Sequence, residues 1–298
     1  MKAKVLAHLA IIAANILYGA NYTIAKWVMP EHILPFGFIF IRVLGALIFF
    51  WSIHLFIERE KIQKEDFPRL FLCGLFGVAI NQLMFFKGLD ITTPVNASLM
   101  MVTTPILVII IAILAKVDRF TWAKFFGILL GALGAGFLLI GRDLNFNSTT
   151  ALGDFFVIIN ATSYGIYLTI VKPLMKKYHA LTIIKWVFLF GFIPVAIVGF
   201  PEFKQIDWHS FTPGTWWSLV YVVFGVTCFA YLFNIFALSK VNPSVVGIYI
   251  YIQPLLAAVI AVYFGADSFT SVKILAACCI FLGVYLVSFY KPKQKQLI

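Results

Sequence analysis

The chain has 298 residues, 62% hydrophobic, 17% aromatic and only 12% charged, with mean hydropathy +0.98. Soluble domains carry roughly 25% charged residues, so this composition excludes a soluble globular domain and points to a polytopic membrane protein. The net charge of +11 does not call for nucleic acid, because most Lys and Arg sit in short loops between apolar runs, where they report topology.

Ten apolar spans follow one another, each long enough for a hydrocarbon layer of about 30 Å. Helix 1 is predicted near 5–29 and stops before Pro30; it is too long for a signal-peptide core and lacks a small-x-small exit. Helices 2 and 3 are predicted near 35–57 and 67–89. Helix 4, near 94–115, carries Pro105 at its middle, and helix 5 runs near 121–140. The polar stretch from Arg142 to Thr150 separates two halves. Helices 6, 7 and 8 are predicted near 152–174, 180–200 and 214–239. Helix 9, near 243–265, carries Pro254 at its middle, and helix 10 runs near 270–290. Thr121 and Thr270 are the expected N-caps of helices 5 and 10. With the N-terminus cytoplasmic, sixteen Lys and Arg fall on the inner side and five on the outer. Both termini are therefore expected inside, in a plasma (inner) membrane.

The second half echoes the first. A shift of 149 residues aligns 82–141 with 231–290 without a gap. The thirteen identities include Pro94 with Pro243, Pro105 with Pro254, Asp118-x-Phe120-Thr121 with Asp267-x-Phe269-Thr270, and Gly134 with Gly283. A shift of 146 aligns Tyr18-Gly19, Thr23-Ile24 and Lys26 with Tyr164-Gly165, Thr169-Ile170 and Lys172. Each repeat holds five helices, an odd number, so the second must enter the membrane from the opposite side. The expected fold is all-α: ten transmembrane helices as two inverted five-helix repeats, over 1–141 and 152–290, followed by a basic cytoplasmic tail at 291–298. Inverted repeats of this kind place a transported solute near the midplane between the halves.

Phe85-Phe86-Lys87-Gly88-Leu89 leading into Thr93-Pro94, the repeat-2 counterpart Ala237-Leu238-Ser239-Lys240-Val241, Gln253-Pro254-Leu255 and Asp267-Ser-Phe-Thr lie in this 5+5 layout. In these features the chain resembles the drug/metabolite transporter superfamily, in its EamA-type, ten-helix branch. At Asp267 that family more often has Glu. The resemblance implies transport of small metabolites, often export, through a cavity between two helix bundles, with helices 5 and 10 at the periphery. It does not fix the substrate.

Polar residues inside the spans are the site candidates. On helix 1, Asn15, Tyr18 and Tyr22 share a face, with Asn21 beside it. On helix 6, Asn160, Tyr164 and Tyr167 do the same. Lipid-facing polar groups are costly, so both stripes are expected to look inward, either as cavity walls or as interhelical hydrogen bonds. Arg42 lies about seven residues into helix 2, roughly 10 Å deep, and Lys185 about five residues into helix 7. They read as one cation in each mouth of a path, attracting a carboxylate or phosphate, or else as snorkelling residues. Pro105 and Pro254 bend corresponding helices, as hinges or as static kinks, and free carbonyls beside Thr104 and Gln253. Tyr249 is placed to reach the same region. Gln82 is a further candidate, with Asn81, Asn96 and Asn234.

All twelve acids lie in loops or near span ends, so no carboxylate is expected at the midplane to carry a coupling proton or sodium ion; His54 is a weak alternative. Cys73, Cys228, Cys278 and Cys279 read as small core residues, and neither metal nor cofactor is implied. No Ser-His, Asp-Asp or zinc-ligand set appears at helical spacing, so an enzyme is not expected. The reading is a secondary transporter, exporter or exchanger, of small organic metabolites such as amino acids, working by alternating access. Alternatives on the same fold are a carrier of phosphorylated or nucleotide-linked solutes and a lipid-headgroup flippase; of another class, a non-transporting scaffold. The expected partners are membrane lipids and a small-molecule substrate for which a carboxylate is the fitting charged group, in a monomer or homodimer.

Overall fold

The computed structural model describes residues 2–29, 31–56, 60–139, 148–263 and 271–289. Within them the chain makes ten helical passes and no strand. They are α1 (Lys2–Val28), α2 (Pro35–His54), α3 (67–91), α4 (Pro94–Met101 and Thr104–Leu114), α5 (Trp122–Leu139), α6 (Ser148–Val171), α7 (Ala180–Phe203), α8 (213–240), α9 (243–263) and α10 (Ser271–Ser288). Six helices are each long and apolar enough to cross a membrane: Ala3–Asn21, Pro35–His54, Lys64–Ile91, Thr150–Lys176, Ala180–Phe203 and Pro213–Lys240. The other passes are shorter apolar helices. Every pass exposes large apolar side chains, for example Leu9, Ile48, Leu72, Ile110, Leu129, Phe155, Ile197, Phe224, Val259 and Leu275. In water so continuous an apolar surface would drive association; against lipid it is the solvated state. The tail at 291–298 and the cap candidate Thr270 lie outside the described residues.

Local chemistry sets the helix ends. Pro35 opens α2, where its fixed φ suits the first helical position. The orphan N–H groups of Phe36 and Gly37 donate to Glu202 Oε2 at the end of α7, at 2.7 and 2.9 Å. Thr121 Oγ1 accepts from Lys124 N at 3.3 Å, as a cap of α5 should, and Thr212 caps α8 through Thr215 N.

The inversion is visible in the packing. α5 pairs with α10, α2 with α7 and α4 with α9, each a repeat partner of the other. α3 packs on α6, and the repeat-related pair α8 and α1 does the same. Small residues mark these seams. A Cβ on Gly127 would meet Gly283 O at 2.8 Å, and one on Gly134 would meet Ala276 O at 2.7 Å. Under the 149-residue shift these are one contact seen twice, so the α5–α10 stripe packs within the monomer. The loops sort onto two faces as odd parity requires. Asp66, before α3, binds Lys177 and Tyr178, before α7; Asp118, before α5, binds Asn242, before α9, and Ser244, in the first turn of α9. On the opposite face Glu202 holds the start of α2, and Asp154 in α6 accepts from Thr92, before α4, at 2.6 Å.

Two irregularities also obey the symmetry. A π-helical stretch interrupts α3 at Leu75–Ala79 and α8 at Tyr221–Phe229. α4 breaks at 102–103, just before Pro105, and α9 tightens to a 3-10 turn at Tyr249–Tyr251, just before Pro254. Both prolines remove the helical bond to the residue four back, Met101 and Ile250, which are repeat partners. Four of the ten helical passes therefore deviate, in two repeat-related pairs.

Candidate functional site: a central cavity on the pseudo-two-fold axis

A cavity of about 100 Å³ lies where these irregularities meet. Asn15, Tyr18 and Asn21 of α1 line it, with Arg42 of α2, Asn81, Gln82, Phe85 and Phe86 of α3, and Met101 of α4. Asn160 and Tyr164 of α6 join them, with Val226, Tyr231 and Asn234 of α8 and Val246, Ile250 and Gln253 of α9. Among the described residues, the peripheral helices α5 and α10 contribute none, and neither does α7. Three lining pairs are exact repeat partners, Tyr18 with Tyr164, Phe85 with Asn234 and Met101 with Ile250. A fourth pair marks the axis itself: Gln82 and Tyr231 are 149 residues apart, and Gln82 Nε2 donates to Tyr231 Oη at 3.1 Å.

Hydrogen bonds hold the walls. Tyr231 Oη passes its own proton to Gly77 O at 2.9 Å, a carbonyl inside the first π stretch. Thr227 Oγ1 likewise donates to Val222 O at 2.8 Å within the second. π-turns often accompany functional positions; here they present carbonyls to hydroxyl groups beside the cavity. Asn234 Nδ2 donates to Tyr18 Oη at 3.1 Å and Gln253 Nε2 to Asn15 Oδ1 at 2.8 Å, tying α1 to α8 and α9. Asn160 Nδ2 donates to Asn81 O at 2.7 Å, and Asn81 Nδ2 returns to Asn160 O at 3.3 Å. Three lining oxygens remain buried without a hydrogen-bond partner: Asn21 Oδ1, Gln82 Oε1 and Asn160 Oδ1.

Arg42 is the cation of the site. It is 3% exposed. Its Nε donates to Thr227 Oγ1 at 3.1 Å, and its guanidinium lies 4.5 Å from the centroid of Phe86 and 5.9 Å from that of Phe38. Nη1 has no hydrogen-bond partner. Among the described residues no carboxylate forms a salt bridge with it. The cavity thus offers acceptors, aromatic faces and one cationic donor edge.

Of the sequence candidates, Asn15, Tyr18, Asn21, Arg42, Asn81, Gln82, Asn160, Tyr164, Asn234 and Gln253 reach this cavity. Five others do not. Asn96 donates to Asp154 instead. Thr104 is fully buried and its hydroxyl contacts Met101 Sδ. Tyr167 lies over Gly77, where only a residue without Cβ leaves room for the ring. Lys185 sits 5.0 Å from the ring of Trp51 and 5.7 Å from that of Trp186 and does not line the cavity, so of the expected pair of cations Arg42 is the one that does. Tyr249 turns outward to His8, with its hydroxyl 2.7 Å from His8 Nδ1. The Tyr22 side chain lies outside the described residues. Cys73 and Cys228 are buried as expected, but Cys278 is exposed on the surface of α10. Sequence reasoning missed Tyr231, although the 149-residue alignment pairs it directly with Gln82. Phe85 and Phe86 were read as family text and prove to be cavity wall. No cluster of three His, Cys, Asp or Glu converges among the described residues.

Residues 5–140 and 151–289 each match the model of the EamA-like transporter family. The chain is 26% identical to an uncharacterized transporter of Archaeoglobus fulgidus over 97% of this chain and 98% of that one. It is 24% identical to the transporter YetK of Bacillus subtilis, over 99% and 90%. A WAT1-related protein of Arabidopsis thaliana is 23% identical over 98% and 87%. A crystal structure 16% identical in sequence superposes with a TM-score of 0.77, covering 97% of this chain and 99% of that chain, and so shares the fold. With both halves matched and the inverted ten-helix architecture in place, the chain belongs to the EamA-like transporter family of multi-pass membrane proteins.

Proposed function

We propose that this EamA-like transporter carries a small organic solute, such as an amino acid or a related metabolite with a carboxylate, through the central cavity by alternating access. The observation that carries the reading is the position of the cavity: on the pseudo-two-fold axis, walled by both repeats, and lined by polar groups that lipid could not solvate. One bundle is α1, α2, α8 and α9; the other is α6, α7, α3 and α4. Rocking one against the other about Gln82 and Tyr231 exposes the same residues first to one face and then to the other. The kinks before Pro105 and Pro254 serve as the hinges. Positive-inside loop charge supports cytoplasmic termini; the membrane is taken as a plasma (inner) membrane and the direction of transport as export. Each working bundle draws two helices from each repeat, in a chain that does no catalysis.

A cavity of about 100 Å³ is small beside the roughly 300–1,000 Å³ typical of drug-sized ligands. That favours a small metabolite over a nucleotide-linked solute. The single buried arginine argues the same way, since a phosphorylated substrate calls for more positive charge. The test is saturable flux in proteoliposomes across a panel of small metabolites. Tyr18→Ala and Tyr164→Ala are expected to lower a confirmed flux about tenfold or more each. Unchanged flux in both variants would move the path away from this cavity.

A further inference from the structure

Arg42 carries an implication for coupling. Its charge lies in the membrane interior, next to the cavity, with Nη1 unpartnered. The buried acids among the described residues are committed elsewhere: Asp66 to Lys177 and Tyr178, Asp118 to Lys124 and Ser244, Asp154 to Thr92. Phe86 covers one face of the guanidinium, and an aromatic ring attracts a cation without neutralising it. The charge is also not duplicated. Under the 146-residue shift the repeat partner of Arg42 is Phe188, which packs on the Tyr231 ring at a centroid distance of 5.0 Å. The carrier therefore holds one unbalanced positive charge per cavity.

We infer that the solute supplies the missing countercharge, and that the protein is for this reason an obligatory exchanger of small organic solutes bearing one net negative charge on a carboxylate. The inference rests on the transport reading above and specifies its coupling. In an open state, water at the cavity solvates Arg42. To cross to the other state the cavity must close over it, and a closed site without an anion strands an ion in a low-dielectric interior, which is strongly unfavourable. A carboxylate on the free guanidinium edge removes that penalty through a charge-assisted, fork-like pair. The loaded carrier then reorients readily and the empty one does not, so each solute leaving must be replaced by one entering. No proton or sodium ion is needed in this cycle.

The experiment compares initial entry of radiolabelled L-lactate and L-aspartate, with zwitterionic L-alanine alongside, into proteoliposomes that are either empty or preloaded with the same unlabelled solute. For wild-type protein, preloading is expected to raise entry of an anion about tenfold or more. Arg42→Lys, which keeps the charge, should retain that dependence, as should Thr227→Val, which removes the Nε acceptor and the hydroxyl's own bond to Val222 O but leaves the charge. Arg42→Gln should enter empty and preloaded vesicles at equal rates. Saturable anion entry that is equal in both vesicle types for the wild type overturns the exchange inference and leaves the transporter standing. A preloading effect that survives in Arg42→Gln also overturns it. Entry of L-alanine alone keeps the transport reading and removes the anion; no saturable entry of any of the three counts against both. The wild-type comparison decides the matter even where Arg42→Gln does not fold.

Discussion

The contact of α3 with α6 and that of α1 with α8 occupy equivalent places in the two repeats, yet they are built from different chemistry. Between α3 and α6, Asn81 and Asn160 exchange side-chain bonds with each other's carbonyls, and Ser163 Oγ donates to Phe76 O at 2.6 Å. The corresponding positions between α1 and α8 are Ala14 and Ala230, both fully buried. At the far end of the same seam, Gly88 crosses Gly153 where the other pair has Ala237 and Ala7. One contact is a hydrogen-bonded frame with close backbone approach. The other is apolar at these positions, and its hydrogen bonds lie elsewhere along the seam, from Asn234 Nδ2 to Tyr18 Oη at the cavity and from Tyr221 Oη to Leu17 O. Inverted repeats thus share a backbone plan while dividing labour: the α1, α2, α8, α9 bundle supplies ten of the seventeen lining residues, the other bundle seven.

That division can be broken most severely at the glycine crossing. A Cβ on Gly153 would lie 2.8 Å from Thr92 N and 2.9 Å from Gly88 O, both backbone atoms that cannot step aside. Gly153→Ala is expected to cost about 1–3 kcal/mol through overpacking, read as a lower thermal midpoint in detergent. Ala7→Gly, at the equivalent place, should cost about 1 kcal/mol or less, by helix propensity alone. Equal losses would erase the distinction between the two seams.

A smaller effect is expected from converting the frame into its counterpart. Asn81→Ala with Asn160→Ala recreates the Ala14–Ala230 arrangement and removes two interhelical bonds, each worth about 0.6 kcal/mol in a membrane interior. Stability should fall by about 1 kcal/mol, while the cavity loses one unpartnered oxygen, Asn160 Oδ1. Should the double variant prove as stable as wild type, the bonds are not what stiffens this seam.

The smallest effect lies in the loops, where the Lys177 ammonium and the Tyr178 hydroxyl hold the Asp66 carboxyl below its ordinary range. A carboxyl depressed in the folded state adds stability above its unfolded pKa and loses it as pH falls through the folded one. Midpoints measured from neutral to acidic pH should decline in part through Asp66, and Asp66→Asn should flatten that part of the decline. An unchanged acid profile in Asp66→Asn would assign the sensitivity to other groups.

Much of this architecture can be read from the sequence because symmetry doubles each signal. Tyr18-Gly19 recurs as Tyr164-Gly165, Pro105 as Pro254, and five apolar runs in each repeat, an odd number, leave inversion as the only arrangement. The π stretches at 75–79 and 221–229 have no such marker, since no residue type demands a π-turn. They re-aim the residues that follow, and this is why Tyr231 reaches the axis. Helical spacing placed Tyr167 on the Tyr164 face, but the absent side chain at Gly77 gave its ring a better site. Arg42 and Lys185 looked alike by depth. Their neighbours separate them: Lys185 meets two indole rings away from the cavity, whereas Arg42 is clasped by Phe86 and Thr227 at its edge.

The central claim is that the space around Tyr18 and Tyr164 is a path reached from both faces in turn. Its most direct test is a single cysteine at Tyr164→Cys, in protein whose Cys73, Cys228, Cys278 and Cys279 are replaced by Ser, reconstituted and exposed to a membrane-impermeant thiosulfonate from one side at a time. With transported solute present on both sides, the account predicts labelling from either side. A thiol that stays unreactive from both sides, or reacts from one only, would contradict it and describe a dry, fixed centre.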